Sequence, residues 1–404
     1  YVNPVAGPLE GFRVVDLSSM ISGPIATMTL GDQGADVIKV EAPGGGDLVR
    51  SIGPSKAGIA PTFATSNRSK RSVVINLKHE RGLAVLKRLV VGADVFVQNF
   101  RPGTAQRMGI GEEAIRAICN DIIYVSISGF GDSGPYAHKR VYDPMIQALS
   151  GLTSIQADAA TGRPKMVRVI VPDKLTAVTA AQAISAALFA RERTGKGQHI
   201  KLAMLDTMVA FLWPEGMTGY TFVGREVHTS RSQLTQDLIY ETVDGYITVG
   251  AVSDTEWKAL CRALDKSEWL EDERFKTLGD RSRNIKDRLD LTADTLKGNT
   301  SEYWLARLDA ESVPCAPVLS RAEAIEHEQI RANELIRELE HPVVGTIRQP
   351  RPAARFDETP SDIQRHAPSL GEHTEEILRQ ELNLDSDEIE KLRSGGTVLV
   401  WERL

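Results

Sequence analysis

Asp173 stands where an aspartate can do covalent chemistry. It lies in Val171-Pro172-Asp173-Lys174, just before a long small-residue run, Leu175 to Arg193, that closes on the basic turn Arg191-Glu192-Arg193-Thr194-Gly195-Lys196-Gly197. Ala180, Ala181, Ile184, Ala187 and Leu188 recur at helical spacing and predict a buried helix face. Asp173 is therefore expected at a helix N-terminus, where a carboxylate has two uses. It can cap the helix by accepting unpaired backbone N–H groups, or it can attack a carbonyl carbon and form a covalent intermediate. Local sequence alone leans to the cap, so the rest of the chain must decide.

Other chemistry-bearing residues cluster after apolar segments. Gly129-Phe-Gly-Asp-Ser-Gly134 is a glycine-dense loop, which turn chemistry alone accounts for. Lys139-Arg140 follows it, and two adjacent cations can hold phosphate. Arg101 and Arg107 follow another apolar segment; Arg107 is read as close to a helix start, where a cation opposes the helix dipole and an anionic partner or a neighbouring acid would balance it. No GxGxxG follows the first apolar segment, and Gly44-Gly-Gly46 lacks the spacing, so nicotinamide and flavin readings lose their best support. A Walker lysine motif is also missing.

The positioning elements alternate. Strands are predicted at Phe12–Leu17, Asp36–Glu41, Val73–Leu77, Val95–Phe100 and Ile122–Ser128, with helices at Pro24–Gly34, Glu80–Gly92 and Thr104–Cys119. Val/Ile-rich strands separated by helices predict an α/β fold with a parallel sheet covered on both faces. Such sheets bind ligands beyond the carboxyl ends of their strands. That singles out Ser18–Gly23, Ala42–Asp47, Asn99–Gly103 and Gly129–Gly134. Beyond Met217 the pattern changes: a hairpin Leu238–Val243/Tyr246–Val252 turns on Asp244-Gly245, and helices Asp254–Leu264 (with Asp254 as cap), Ile285–Lys297 and Ser301–Glu311 follow. The expected organisation is residues 1–223 for a large domain, 224–313 for a smaller α+β domain closed by Pro314-Cys-Ala-Pro317, and 314–404 returning to the large domain. Helices are expected at Arg321–Leu339, Glu372–Leu382 and Ser386–Ser394, with an extended Arg348–Pro352 segment; these tails must pack on the sheet or on a second chain.

Composition narrows the function classes. A chain of 404 residues with net charge −6 has no global attraction to nucleic acid or anionic membrane, and its few aromatics are not interleaved with basic runs. Cys119, Cys261 and Cys315 are too far apart for a metal-ligand pair or disulfide framework, so no metal is expected and a reducing, cytoplasmic compartment is. No apolar run reaches the ~20 residues that span a bilayer. The sequence opens without Met and without a signal-peptide pattern, which leaves open whether an upstream segment is missing or trimmed.

Ten short motifs in order carry a resemblance: Ser22-Gly-Pro24, Gly34-Ala-Asp-Val-Ile-Lys-Val-Glu41, Lys70-Arg-Ser72, Asn99-Phe-Arg-Pro-Gly103, Arg107-Met-Gly109, Ser128-Gly-Phe-Gly131, Tyr142-Asp-Pro144, Arg193-Thr-Gly-Lys-Gly-Gln198, Pro314-Cys-Ala-Pro-Val318 and Leu370-Gly-Glu-His373. Together they resemble the class III CoA transferases, the group of formyl-CoA and carnitine CoA transferase, over nearly the whole chain. The resemblance implies a Rossmann-like large domain built from both chain ends, a small domain between, and an interlocked homodimer. It implies that Asp173 is the nucleophile. Coenzyme A and acyl-CoA are then substrates, with no tightly bound cofactor. The positions matching the family's CoA contacts are Ile21, Ser22, Ala42, Ile75, Asn76, Lys78, Asn99, Phe100, Arg101, Arg107, Met108, Arg140, Val141 and Tyr142. Two of them depart from formyl-CoA transferase, which has arginine at the Ala42 position and glutamine at Ile21. The glycine-run loop of that enzyme has no counterpart near Gly224–Gln236.

The implied reaction moves CoA from a thioester to a free carboxylic acid through mixed anhydrides and an aspartyl-CoA thioester, without ATP or metal. Two alternatives stand beside it. An α-methylacyl-CoA racemase would need a histidine immediately before Asp143; the residue here is Tyr142, and His138 is out of register and read as a surface residue. A non-catalytic acyl-CoA-binding protein would use Asp173 only as a cap. Arg231, Gln233 and Gln236 are candidates to grip a second carboxylate, with solvated surface as the plainer role.

Overall fold

The computed structural model describes residues 7–158, 160–226 and 237–401. The chain forms two units, Tyr1–Trp213 with Leu335–Leu404, and Pro214–Glu334. Among the described residues no helix is long and apolar enough to cross a membrane, and no group of three or more His, Cys, Asp or Glu side chains gathers as a metal site.

The larger unit is built on six parallel strands: β1 (Arg13–Asp16), β2 (Asp36–Glu41), β3 (Lys70–Ile75), β4 (Val95–Gln98), β5 (Ile123–Ser128) and β6 (His199–Ala203). Their order across the sheet is 3-2-1-4-5-6, with Val398–Leu399 adding an antiparallel edge beside β3. Val15 is paired with both Ile38 and Phe96. Strand order therefore reverses between β1 and β4, and the crevice at their carboxyl ends is the expected ligand position.

Both faces of the strands are apolar because both are covered. Val14, Val37, Val95, Val97, Ile123 and Val125 face one layer with Leu30, Ala177, Ala180 and Ile184. Those residues belong to the helices Ser22–Asp32 and Val171–Thr194. The alanines leave room for the two helix backbones to run close together. Val15, Ile38, Val73, Phe96 and Tyr124 face the other layer, where Leu86 and Leu89 meet Ile377, Leu378 and Ile389 from the far end of the chain. The C-terminal helices Thr374–Gln380 and Ser386–Ser394 thus find their core on this sheet.

The smaller unit has a three-stranded antiparallel sheet, Ile239–Glu241, Tyr246–Val249 and Cys315–Pro317, under helices Asp254–Ala263, Ile285–Leu296 and Ser301–Ala310. Its core stacks Trp257 on Trp269 at 6.1 Å. Pro314–Pro317, expected merely to close this region, contributes the third strand.

Three other expectations change. Thr104–Cys119 is two short helices, Thr104–Arg107 and Glu112–Arg116, because Gly109 turns left-handed at φ 71° between them. Arg321–Leu339 is not one helix: it runs as Arg321–Glu326 and Glu328–Ala332, then becomes the strand Ile336–His341 paired with Gly345–Pro350. Glu334, left-handed at φ 50°, ends the helical stretch. Asp254 does not cap its helix. Ser253 does, in a reciprocal capping box with Glu256, while Asp254 is an ion-pair partner of buried Arg281.

Candidate active site

Asp173 lies inside the first turn of the Val171–Thr194 helix, not at its cap; Ile170 holds the cap position and makes no side-chain bond. The carboxylate is therefore not spent on its own helix. It is half-buried, and its Oδ1 accepts a hydrogen bond from Ser22 Oγ at 3.1 Å. Ser22 opens the neighbouring helix. Both helices start at the carboxyl edge of the sheet, so their first turns meet beside the β1/β4 crevice.

Asp173 is also held from behind. Its N–H donates to Asp143 Oδ2 at 3.3 Å. Asp143 is buried, and its Oδ1 accepts from Gln147 Nε2 at 2.6 Å. Gln147 Oε1 in turn accepts the Val167 N–H at 3.0 Å. Burial pushes the Asp173 carboxyl up to about 6, with the Asp143 charge adding and the Ser22 hydroxyl opposing. Burial likewise raises Asp143, against the bonds from Gln147 and the Asp173 N–H. Two carboxyls with raised affinity for protons at a strand-end crevice make this a candidate reactive site.

Behind the β1 loop lies a buried charge network. Asp16 Oδ1 accepts from the Ser18 N–H at 2.9 Å and from Ser18 Oγ at 2.5 Å. Its Oδ2 accepts from Thr27 Oγ1 at 2.6 Å and Lys70 Nζ at 3.0 Å. Lys70 also donates to the Pro24 carbonyl at 2.9 Å, gripping the helix that Ser22 opens. Burial pushes Asp16 up, but Lys70, Lys39 and the hydroxyl bonds from Ser18 and Thr27 together outweigh it and hold the carboxyl at about 2. Lys70 is itself lowered to about 8, because burial and the like charge of Lys39 prevail over Asp16. Gly23 is required by this packing: a Cβ there would stand 2.3 Å from the Ser18 Cβ. Asn99 closes the crevice by taking the Ser19 N–H at 3.0 Å and donating to the Ser19 carbonyl at 2.8 Å.

Comparison with known proteins decides what this arrangement belongs to. The model of CoA-transferase family III matches residues 9–374. The chain belongs to CoA-transferase family III. A Mus musculus protein named succinyl-CoA:glutarate CoA-transferase is 36% identical over 395 residues, 97% of this chain and 90% of that one. An Agrobacterium fabrum protein named succinate–glutarate CoA-transferase is 35% identical over 384 residues, 92% of this chain and 95% of that one. The solved structure of a CaiB/BaiF family protein from Brucella suis superposes with a TM-score of 0.80 at 32% identity, over 93% of this chain and all 100% of that one.

Within this family III transferase the positions expected to contact CoA are distributed as follows. Ile21 and Ser22 follow β1 and are buried; Ala42 follows β2 and is exposed. Ile75 ends β3, fully buried in the core and paired with Val398. Asn76 is half-buried and donates its N–H to the Thr397 carbonyl at 2.8 Å, while Lys78 is exposed. Asn99 and Phe100 are half-buried, and Arg101 is exposed. Arg107 is a correction: it ends, rather than starts, its short helix, so the dipole favours the cation without an anionic ligand. Its Nη2 donates to Thr104 Oγ1 at 2.9 Å. Met108 packs partly on the core. Arg140 and Tyr142 are exposed and Val141 half-buried, fitting against Gly129, where a Cβ would stand 2.4 Å from Val141 Cγ1. His138 is exposed. Arg231, Gln233 and Gln236 lie outside the described residues.

Sequence reading assigned Ser22 to CoA and did not foresee its bond to Asp173. It also passed over Asp16, Lys39, Asp47 and Lys70 as a working group. The signal was present: Lys39 sits between Ile38 and Val40 in a strand buried on both faces, where an ammonium needs a carboxylate partner.

Proposed function

We propose that this transferase moves CoA from an acyl-CoA thioester to a free carboxylic acid, with Asp173 as the covalent nucleophile. The observation that carries this is the half-buried Asp173 carboxylate, inside the first helical turn rather than at its cap and hydrogen-bonded by Ser22 at the β1/β4 crevice. With its carboxyl at about 6, it is largely ionised at pH 7 and more basic than an ordinary aspartate.

Asp173 Oδ attacks the thioester carbonyl, the C–S bond breaks, and CoA thiolate leaves a mixed anhydride. The thiolate attacks the aspartyl carbonyl and expels the first acid as its carboxylate, leaving aspartyl-CoA thioester. The acceptor carboxylate attacks that thioester and releases thiolate again, giving a second anhydride. Thiolate attack on the acceptor's acyl carbon returns the Asp173 carboxylate and the new acyl-CoA. Every step exchanges one acyl bond for another, so charge and electrons balance without a further reactant. The first N–H groups of the Ser22–Asp32 helix have no intrahelical acceptor and are the donors we assign to the developing oxyanion.

The strand-end residues Ile21, Ser22, Ala42, Asn76, Lys78, Asn99, Phe100, Arg101, Arg107, Met108, Arg140, Val141 and Tyr142 are the proposed CoA surface, with buried Ile75 at the end of β3 supporting it. The interlocked homodimer belongs to the same reading. The names of the relatives direct the substrate screen to succinyl-CoA as donor and to dicarboxylic acids, glutarate among them, as acceptors.

Trapping tests the nucleophile. Wild-type protein incubated with acyl-CoA and then hydroxylamine should carry a hydroxamate on the Asp173 peptide. Asp173→Ala should lose exchange while still binding CoA. Near-normal exchange in that variant rules Asp173 out.

A further inference from the structure

Asp47 takes no part in the reaction above, yet its contacts converge on the loop that carries Ser22. It is buried, as is Lys39. Asp47 Oδ1 accepts the Met20 N–H at 3.0 Å and the Val49 N–H at 3.2 Å. Its Oδ2 pairs with Lys39 Nζ at 2.9 Å. Lys39 also donates to the Ser18 carbonyl at 2.9 Å. Asp47 is fixed in turn, because its N–H donates to Glu41 Oε1 at 3.0 Å and Glu41 is clamped by Arg50 at 2.7 Å. Burial opposes the Lys39 charge, but Asp16, Asp47 and Glu41 together hold its ammonium above the ordinary value.

The backbone that Asp47 grips is strained. Met20 has φ 70°, the left-handed region in which a side chain with a Cβ is disfavoured. Two residues later comes Ser22, whose hydroxyl must reach Asp173. If Met20 relaxed to negative φ, the direction of the chain into Ser22 would change and the 3.1 Å bond would open.

We propose that Asp47 is a positioning residue for the transfer reaction: by holding Met20 left-handed, it presents the Ser22 hydroxyl to Asp173. This rests on the reading of Asp173 as nucleophile. It differs from a plain folding role in one consequence. Glycine takes positive φ without the Cβ penalty, so Met20→Gly should replace what Asp47 does for the loop but not what it does for Lys39.

The experiment compares wild type, Asp47→Ala, and Asp47→Ala combined with Met20→Gly, by kcat for CoA exchange and by thermal melting. Asp47→Ala should lose roughly tenfold or more in kcat, since small misplacements near a reacting group are costly. The added Met20→Gly should recover most of that loss while the melting temperature stays low, because Lys39 lacks its direct ion-pair partner in both. An Asp47→Ala kcat within about twofold of wild type overturns the proposal. So does a double variant, folded by far-UV circular dichroism, that recovers nothing. If Asp47→Ala does not fold, Asp47→Asn keeps an acceptor for Met20 and should retain kcat within about threefold despite a lowered melting temperature; a folded Asp47→Asn that loses more than about tenfold sinks the idea. The exchange assay reads kcat without the trapped adduct, so failure to trap Asp173 removes the nucleophile and is scored separately from these comparisons.

Discussion

Ser22 Oγ and Asp173 Oδ1 are 3.1 Å apart although 151 positions separate them in the chain. Two helices in one layer make this possible. One follows β1 directly, the other arrives after β5, and both begin at the edge of the sheet where strand order reverses. Ser22 is the hydrogen-bonding counterweight to the burial that lifts the Asp173 carboxyl.

Removing that counterweight has a definite sign. Ser22→Ala leaves burial and the Asp143 charge unopposed, so the Asp173 carboxyl rises above about 6. The proposed nucleophile is the carboxylate, so the acid limb of the kcat/KM profile should move to higher pH. A hydrogen bond to a charged group is worth about 1.5–3 kcal/mol, which corresponds to a loss of roughly tenfold or more near pH 6 and a smaller one at pH 8. A pH–rate profile of the variant checks this, and an unmoved acid limb contradicts it.

Asp173 itself should be a stability liability. Its folded carboxyl is raised from 3.8 to about 6, so the protonated form is favoured by the fold. Its stabilising contribution is complete below pH 3.8 and is lost as pH rises through 6. Above that, the raised value represents about 3 kcal/mol of cost at 1.36 kcal/mol per unit. Asp173→Asn can still accept from Ser22 and carries no charge. It should melt higher than wild type at pH 8, on the order of 2–6 °C, lose that advantage at pH 4, and have no exchange activity. Melting curves at the two pH values measure it.

Most of the sheet was legible because its central strands are short and Val/Ile-rich; β2 was read at its observed boundaries and β1, β3, β4 and β5 within a few residues, whereas β6, only partly buried and carrying His199 and Lys201, was not read as a strand. The class of site was legible too, since strand-end loops are few and Asp173 heads a helix with clear spacing. Contacts between distant segments were not. Nothing local to Ser22 points to Asp173, and nothing local to Lys70 points to Asp16. Two helix predictions failed where a single backbone conformation outweighed periodicity: Gly109 splits one helix. The stretch Ile336–His341 carries charges that read equally as a helix face, yet pairs as a strand with Gly345–Pro350.

Lys70 offers a test of the buried network. It and Asp16 are both fully buried. Lys70→Met removes one ammonium and leaves Asp16 with Lys39 as the nearest remaining cation. Breaking a buried pair from one side costs about 3–5 kcal/mol. Urea unfolding of the variant should show a loss of that order, and adding Asp16→Asn should return part of it by removing the stranded charge. A single-variant loss below about 1 kcal/mol would mean that the pair is solvated, in conflict with its burial.

The far end of the chain supplies the last test, because it finishes the β3 corner of the proposed CoA surface. Val398 and Leu399 pair with Ile75 and Val74, and the Thr397 carbonyl accepts the Asn76 N–H at 2.8 Å. Deleting residues after Gly395 exposes the β3 edge and uncovers the core contact of Val398, which is 5% exposed. Loss of one such buried side chain costs about 1.5–3 kcal/mol, a modest part of the stability of a unit this large, so the truncated protein should fold. Asn76 loses its anchor, however, and Lys78, whose N–H is held by Asn76 Oδ1 at 3.2 Å, loses its bearing. The expected outcome is a raised KM for acyl-CoA, about threefold to tenfold, with kcat nearly unchanged, since Ser22 and Asp173 lie beyond β1 and not β3. Steady-state kinetics separates the two parameters. A fall in kcat at constant KM would place the end of β3 in the transfer step itself rather than in holding CoA.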